Sequence, residues 1–113
     1  MHEMALAESV LQICEDHARR AGAERVVRVR LQIGALSHVE PEALAFCFDS
    51  VVAGTLAEGA SLEIDRVPGR AWCETCGKEV EVGSILDACP ECGGFPLRVT
   101  DGDQMRVRDM EVV

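Results

Sequence analysis

Aromatic residues are scarce in this 113-residue sequence, which has one Trp, three Phe and no Tyr. Apolar residues nonetheless make up 48% of it, so aliphatic side chains must form most of the core. The length suits one ordinary domain, or a small domain with a smaller module. A core of this size is marginal by surface-to-volume scaling, which favours added stabilisation by a metal.

Long apolar runs, an export signal and an excess of positive charge are also missing. No stretch approaches 18 uninterrupted apolar residues, so no membrane span is expected. The first residues, Met1-His2-Glu3-Met4, lack the cationic and apolar regions of a signal peptide, which predicts a cytoplasmic protein. The net charge of −9 repels phosphate backbones and anionic lipid headgroups, which argues against nucleic-acid and membrane partners.

The periodicity of the apolar residues predicts two helices and three strands. Residues 4–21 and 41–54 have helical spacing, and Gly22 is well placed to end the first helix. Residues 27–33 alternate as a strand with one buried face, and further strands are expected at 62–67 and 105–113. In the last strand Met105, Val107 and Asp109 would share a face, which suggests a bulge.

The order is therefore helix, strand, helix, strand, cysteine module, strand. This predicts an α/β (α+β) fold, a mixed three-stranded sheet with two helices that carries an inserted zinc-ribbon-like domain. Pro68-Gly69 and Thr100-Asp101-Gly102 mark the two edges of the insertion. The expected domains are 1–69 with 98–113, and 70–97, and the strands on either side of the insertion are expected to pair as antiparallel neighbours.

Four of the six cysteines form two Cys-x-x-Cys pairs, Cys73 with Cys76 and Cys89 with Cys92, separated by twelve residues. Two residues between cysteines let a tight turn direct both sulfurs to one ion, and twelve residues suit a short hairpin that joins the pairs. The glycine after each pair permits the left-handed backbone that such turns often need. The pattern predicts one structural zinc ion held by all four thiolates. Disulfides, a redox pair and free core cysteines are the alternatives, and the missing export signal weakens the first.

The charge and chemistry of the module exclude two common roles for zinc. Residues 70–97 contain two cations and five acids, and four thiolates on Zn²⁺ add a further −2. Such a surface gains nothing from the counterion release that drives nucleic-acid binding. Four cysteines also close the coordination sphere, whereas a catalytic zinc keeps one position open. The sequence contains no nucleophile, phosphate-binding or paired-acid motif, so no enzyme and no catalytic residue are predicted.

The N-terminal residues Met1, His2 and Glu3 can form a second metal site if the terminal amine is free. The amine of Met1, the backbone nitrogens of His2 and Glu3, and the His2 imidazole would close adjacent chelate rings. Four nitrogens in a plane suit Ni(II) or Cu(II) rather than Zn(II). An ordinary solvated terminus with an incidental histidine is the alternative.

Three elements together resemble the HypA/HybF family of hydrogenase maturation nickel metallochaperones. They are the Met-His-Glu start before a helix, the paired Cys-x-x-Cys motifs, and the segment Ile33-Gly34-Ala35-Leu36-Ser37-His38-Val39-Glu40-Pro41-Glu42-Ala43-Leu44. The resemblance covers the whole chain in order and length. One variable feature of the family differs, since Lys78 and Gly93-Gly94 follow the cysteine pairs where some members have histidines.

The resemblance implies a nickel site on Met1, His2 and Glu3, a structural Zn(II), and Ni(II) as transported cargo. It also implies delivery of nickel to the [NiFe]-hydrogenase large subunit together with a HypB-type maturation GTPase. A homodimer stays open, as does an added nickel ligand from His38 or Glu40. The alternative function is a zinc-stabilised protein-interaction module without a nickel role. Cys14 and Cys47 are expected to be buried apolar side chains of their helices.

Overall fold

The computed structural model describes residues 2–113 and contains two helices and six strands. These elements are α1 (Glu3–Ala21), β1 (Val26–Gly34), α2 (Pro41–Val51), β2 (Ser61–Val67), β3 (Gly69–Cys73), β4 (Lys78–Val82), β5 (Arg98–Asp101) and β6 (Met105–Val112). The order predicted from the periodicity is confirmed, and three further strands, β3, β4 and β5, lie between β2 and β6. The described helices include none that is long and apolar enough to cross a membrane.

The chain forms two compact units. One comprises residues 1–31, 40–65 and 107–113, and the other comprises residues 32–39 and 66–106. The domain boundaries expected from the sequence, 1–69 with 98–113 and 70–97, stay a prediction.

In the first unit, α1 and α2 pack on each other. The buried side chains of α1 recur at Ala7, Val10, Cys14 and Ala18, so one stripe of the helix faces the core. Gly22 ends α1 with a φ of 67°, and its N–H bonds to the last turn, as expected for a glycine cap. In α2 the buried residues are Leu44 and Phe48, whereas Cys47 is half-buried.

The first sheet has the strand order β2-β1-β6. The expectation that the strands flanking the module, β2 and β6, pair with each other is therefore wrong. The start of β1 bonds to the end of β6, where the N–H of Arg25 donates to Val113, and Gly34 at its end bonds to Gln104 before β6. These bonds make β1 and β6 antiparallel. The longest strand, β1, takes the centre because alternate residues on it are fully buried, namely Val29, Leu31 and Ile33.

The second sheet is antiparallel with the order β4-β3-β5. Strand β5 was not predicted, because its four residues carry only one apolar side chain, Val99, and end in the expected turn at Asp101. It pairs with β3 through a register shift between Arg70 and Ala71. The burial pattern of β6 also changes phase, from Met105 and Val107 to Met110 and Val112, as the predicted bulge would produce.

Candidate metal centre

The structure brings together all four cysteines of the two Cys-x-x-Cys pairs. One sulfur from each of Cys73, Cys76, Cys89 and Cys92 lies within 4.8 Å of the others. The Sγ atoms of Cys73 and Cys92 are 3.6 Å apart, and those of Cys76 and Cys89 are 3.8 Å apart. Four thiolates at zinc–sulfur distances of ~2.3 Å lie about 3.8 Å from each other at the corners of a tetrahedron. The cluster therefore has the size that a tetrahedral zinc ion requires.

Two similar turns present the sulfurs. The N–H of Gly77 donates to the carbonyl of Cys73 at 2.8 Å, and the N–H of Gly93 donates to the carbonyl of Cys89 at 2.8 Å. The φ angles of these glycines are 67° and 74°, which an L side chain rarely adopts. The left-handed glycines expected after each pair are confirmed, and they explain why both turns close within five residues.

Backbone N–H groups point at three of the four sulfurs. The Sγ of Cys73 accepts from the N–H of Cys76 at 3.4 Å, that of Cys89 accepts from Glu91 at 3.4 Å, and that of Cys92 accepts from Gly94 at 3.3 Å. Such bonds favour the charged thiolate over the thiol. Because zinc binds the thiolate, these turns stabilise the protonation state that the metal needs.

The thiol pKa values diverge within the cluster. Backbone N–H groups of Cys92 and Glu91 lower the pKa of Cys89 to about 7. Hydrogen bonding with the Cys92 sulfur, followed by desolvation, raises the pKa of Cys76 to about 12. Four sulfurs this close cannot all ionise without a cation between them, so the cluster shares its remaining protons until a metal displaces them.

The sheet and one ion pair hold the two turns together. Cys73 ends β3 opposite Lys78 at the start of β4, so the first turn is the bend of a hairpin. The ammonium of Lys78 lies 2.7 Å from the carboxylate of Glu91 in the second turn, and this contact raises the pKa of Lys78. This pair was not predicted from the sequence. Its only signal was one cation and one acid, placed beside the two cysteine pairs.

The apolar support beneath the cluster is small. The buried residues around it are Leu36, Ala71, Cys73, Val80, Val82 and Cys89, two of which are cysteines of the cluster. The larger apolar side chains of the module point outward instead, with Ile85, Leu86 and Phe95 at least half exposed. So small a core leaves much of the order of this region to a bound metal.

The cluster suits a structural zinc site. The four thiolates fill a tetrahedral coordination sphere and leave no position for water or substrate. Zinc bound there would join the β3–β4 hairpin to the turn at residues 89–92. Elsewhere among residues 2–113, no other cluster of three or more His, Cys, Asp or Glu side chains has metal-binding geometry.

The predicted N-terminal site lies at the start of α1, except for Met1, which is outside the described residues. His2 caps the helix, and its carbonyl accepts the N–H of Leu6 at 2.9 Å. The Glu3 carboxylate accepts the backbone N–H of Glu40 at 3.3 Å. Glu40, directly before α2, therefore lies beside the first turn of α1. His38, the other residue weighed as an added ligand, is exposed and has a φ of 64°.

The two remaining cysteines lie apart from the metal cluster in sequence and are free thiols. Cys14 is fully buried, as expected, and desolvation raises its pKa to about 11. Cys47 is only half-buried, because the face of α2 that packs inward is centred on Leu44 and Phe48. Cys14 therefore lacks the exposed, acidic thiol that a reactive cysteine needs.

Comparison with known proteins places this fold and cluster in a family. The family described as hydrogenase/urease nickel incorporation, metallochaperone, HypA matches residues 1–112. Hydrogenase maturation factor HypA 2 of Bradyrhizobium diazoefficiens is 54% identical over 112 residues, covering 99% of each chain. Hydrogenase maturation factor HypA of Rhizobium leguminosarum is 50% identical over 113 residues, covering 100% of each chain.

Solved structures share the fold. The solution structure of the Ni metallochaperone HypA from Helicobacter pylori superposes with a TM-score of 0.70 at 23% identity, covering 100% of this chain and 98% of that chain. A second solution structure of a HypA protein gives a TM-score of 0.73 at 23% identity. With the sequence match over residues 1–112, the chain belongs to the HypA family of nickel-incorporation metallochaperones that act in hydrogenase maturation.

Proposed function

We propose that this chain binds one Ni(II) ion at Met1, His2 and Glu3 and delivers it to a [NiFe]-hydrogenase large subunit. The ligands are the Met1 amine, the backbone nitrogens of His2 and Glu3, and the His2 imidazole. The single observation that carries the site is the backbone conformation of His2.

The His2 backbone has a φ of −77° and a ψ of −5°. The ψ angle is the rotation that separates the nitrogen of one residue from that of the next. At a value near zero the nitrogens of His2 and Glu3 lie on the same side of the connecting bonds, almost eclipsed. A metal that binds both nitrogens closes a five-membered ring, and a planar ring needs this eclipsed arrangement. The described backbone is thus already close to the geometry that the central chelate ring demands.

The surroundings of His2 also support a site for a carried ion. The side chain of His2 is 54% exposed, so its imidazole can turn toward its own backbone nitrogen. An exposed site at a chain terminus can be dismantled ligand by ligand, which a carrier needs for release. The Glu3 side chain is buried and bonded to the backbone of Glu40, which holds the first turn of α1 to its neighbour. Because the Glu3 carboxylate is engaged in this bond, the carboxylate of Glu40 is a better candidate than that of Glu3 for an added oxygen ligand.

The four cysteines hold a structural Zn(II) in this proposal, and zinc takes no part in the transfer. The nickel-binding domain consists of 1–69 with 98–113, and the zinc-binding domain of 70–97. Transfer takes place in the cytoplasm, with a HypB-type GTPase as the partner. The polar side of α1 starts directly at the nickel residues, so it offers that partner a short path to the ion.

The test is nickel titration of untagged protein alongside a variant with one glycine added before Met1. No side chain changes, but the amine moves away from the ring that it would close. The native chain should bind one equivalent of Ni(II) with the absorption band of planar nitrogen coordination, and the extended chain should lose that band. A glycine added after Val113 is the matched control. If the N-terminally extended chain keeps the native affinity and spectrum, the amine is not a ligand and the proposed site is wrong.

The second candidate function is a zinc-stabilised protein-interaction module without a nickel role. The exposed apolar residues of the zinc region, Ile85, Leu86 and Phe95, are the observation that favours it. A chain of this kind would bind zinc stoichiometrically and show no planar nickel spectrum. The same titration therefore separates the two functions.

A further inference from the structure

A groove of about 340 Å³ lies between α1 and the edge strand β6. Its helix wall is formed by Ile13, Asp16, His17 and Arg20, whose spacing places them on one face of α1. Its other wall is residues 107–110. Ile13 is ten residues beyond Glu3, which is about 15 Å along the helix, so the groove uses none of the proposed nickel ligands.

Four consecutive residues of β6 line this groove. Successive side chains of a strand point to opposite faces of the sheet, so a cavity lined by all four runs along the edge of the strand. In the described sheet β6 pairs only with β1, which leaves its outer main-chain N–H and C=O groups toward the groove. An open strand edge beside a helix is an arrangement that binds extended peptides by strand addition.

The charges in the groove favour an acidic ligand. Three charged groups of the groove already have an ion-pair partner that is not part of its lining. These pairs are Asp16 with Arg19, Asp109 with Arg30, and Arg108 with Asp65. Arg20 and His17 have no ion pair or hydrogen bond among residues 2–113 and are exposed. The charge of Arg20 also acts on Asp16, one turn before it on α1, but that carboxylate is already paired with Arg19. A chain with a net charge of −9 thus presents a cation without an ion-pair partner of its own at this place, and the apolar side chains of Ile13, Val107 and Met110 lie beside it.

A second copy of the chain fits the groove poorly. A two-fold axis that pairs β6 with itself across the groove passes at one of the residues 107–110. An axis at Val107 sets Arg106 opposite Arg108, and one at Met110 sets Asp109 opposite Glu111. The remaining positions are Arg108 and Asp109. Either residue would then face its own copy, and like charges directly opposite each other destabilise a strand pair.

We propose that the groove between α1 and β6 binds an extended acidic–apolar segment of a partner protein. The segment lies along residues 107–110 and exchanges main-chain hydrogen bonds with that edge. An acidic side chain pairs with Arg20, and an adjoining apolar side chain rests on Ile13 and Met110. This surface is a docking site for a partner, and its use does not depend on the proposed nickel ligands.

The test uses zinc-loaded, isotope-labelled full chain and the capped probe peptide acetyl-Val-Asp-Val-Asp-Val-amide. The peptide should cause saturable NMR shifts at residues 13–20 and 107–110, with a dissociation constant of roughly 0.1–1 mM. Amide hydrogen exchange should slow within residues 107–110. The matching peptide with Lys in place of Asp should bind at least about tenfold more weakly. Absence of saturable shifts in the groove, or equal binding of both peptides, would overturn the proposal.

Two variants with equal charge change separate a specific contact from general attraction. Arg20→Glu should weaken the acidic peptide about tenfold. Arg66→Glu, on the exposed face of β2, should leave its affinity within about twofold. Equal weakening by both variants would mean that only net charge matters. Inorganic phosphate that reproduces all the peptide shifts would reduce the groove to a simple anion site. Concentration-dependent shifts at β6 without peptide would identify self-association instead, and either result would overturn the proposal.

Discussion

The sulfur of Cys73 lies 3.6 Å from the sulfur of Cys92, although the two residues are nineteen positions apart in the chain. This distance is far longer than the ~2.05 Å of a disulfide and close to the edge of a zinc–thiolate tetrahedron. The same contact makes each cysteine dependent on the other, since both turns must be formed before either sulfur has its neighbours.

Loss of one zinc ligand should therefore disorder the whole module. We expect Cys73→Ala or Cys92→Ala to leave residues 70–97 without dispersed NMR signals, while those of α1 and α2 persist. Metal binding contributes roughly 10–16 kcal/mol to small zinc modules, and the buried apolar residues here are too few to replace it. Cys14→Ala, which removes a cysteine outside the cluster, is the control. Protein that contains less than half an equivalent of zinc and still has an ordered module would contradict this prediction.

Zinc uptake should displace fewer protons as the pH rises through about 7. In the metal-free cluster the pKa of Cys89 is lowered to about 7, so this thiol still holds its proton at pH 6 and has lost it at pH 8. Zinc requires thiolates at both values. Calorimetric titrations in buffers of different ionisation enthalpy should show about one proton fewer released at pH 8 than at pH 6. The apparent zinc affinity should fall as the pH is lowered. An unchanged proton count would mean that Cys89 is not acidic in the cluster.

Gly34 and Gly69 should resist substitution, because each lies against the backbone of another chain segment. A Cβ atom on Gly34 would lie 2.0 Å from the carbonyl oxygen of Gly102, and one on Gly69 would lie 2.4 Å from that of Val82. Since backbone atoms cannot move aside cheaply, Gly34→Ala should cost roughly 1–3 kcal/mol or more of unfolding free energy. Gly54→Ala, with a φ of +78° and open space around the added carbon, should cost only ~1–2 kcal/mol. Denaturant unfolding of both zinc-loaded variants measures the difference, and equal costs would refute the crowding argument.

Nickel binding should depend on the side chain of residue 2 and on the backbone alone at residue 3. His2→Ala removes one in-plane nitrogen and should shift the planar absorption band and lower the affinity. Glu3→Gln keeps the backbone nitrogen, so the band should remain. Copper(II) should compete and bind more tightly, following the Irving–Williams order. A Glu3→Gln protein without the planar band would make the carboxylate, rather than the amide nitrogen, the ligand.

Reversal of charge on the polar side of α1 should weaken binding of the HypB-type GTPase that we propose as the partner. Glu8 is exposed and Glu15 is half-buried on that helix. We expect Glu8→Lys and Glu15→Lys to slow association, with a larger effect at low salt, because charges at an interface act mainly on the on-rate. Glu24→Lys, beyond the end of α1, is the matched control. Association rates measured over a range of salt concentrations would rule out this face if neither helix variant differs from the control.

The sequence alone determined those features of the protein that depend on residues close together in the chain. The two Cys-x-x-Cys pairs with their glycines specify the turns, because two intervening residues and a left-handed glycine leave few conformations that present both sulfurs to one ion. The helical spacing of the apolar residues between positions 4 and 21 likewise predicted α1, and Gly22 its end. Of the apolar residues with that spacing, Ala7, Val10, Cys14 and Ala18 are buried, whereas Leu11 is half-buried and Ala21 is exposed. These features depend on residues within one or two turns of each other.

Only the tertiary structure decided which strands are neighbours and what surrounds the sites. The position of β1 between β2 and β6 depends on pairing between residues far apart in the chain, and alternation predicts a strand without naming its partner. Strand β5 has too few apolar residues to be recognised before β3 is in place. The Lys78–Glu91 pair and the groove beside Arg20 likewise require two distant segments to meet. No pattern of neighbouring residues in the sequence predicts these contacts, because the residues that make them are far apart in the chain.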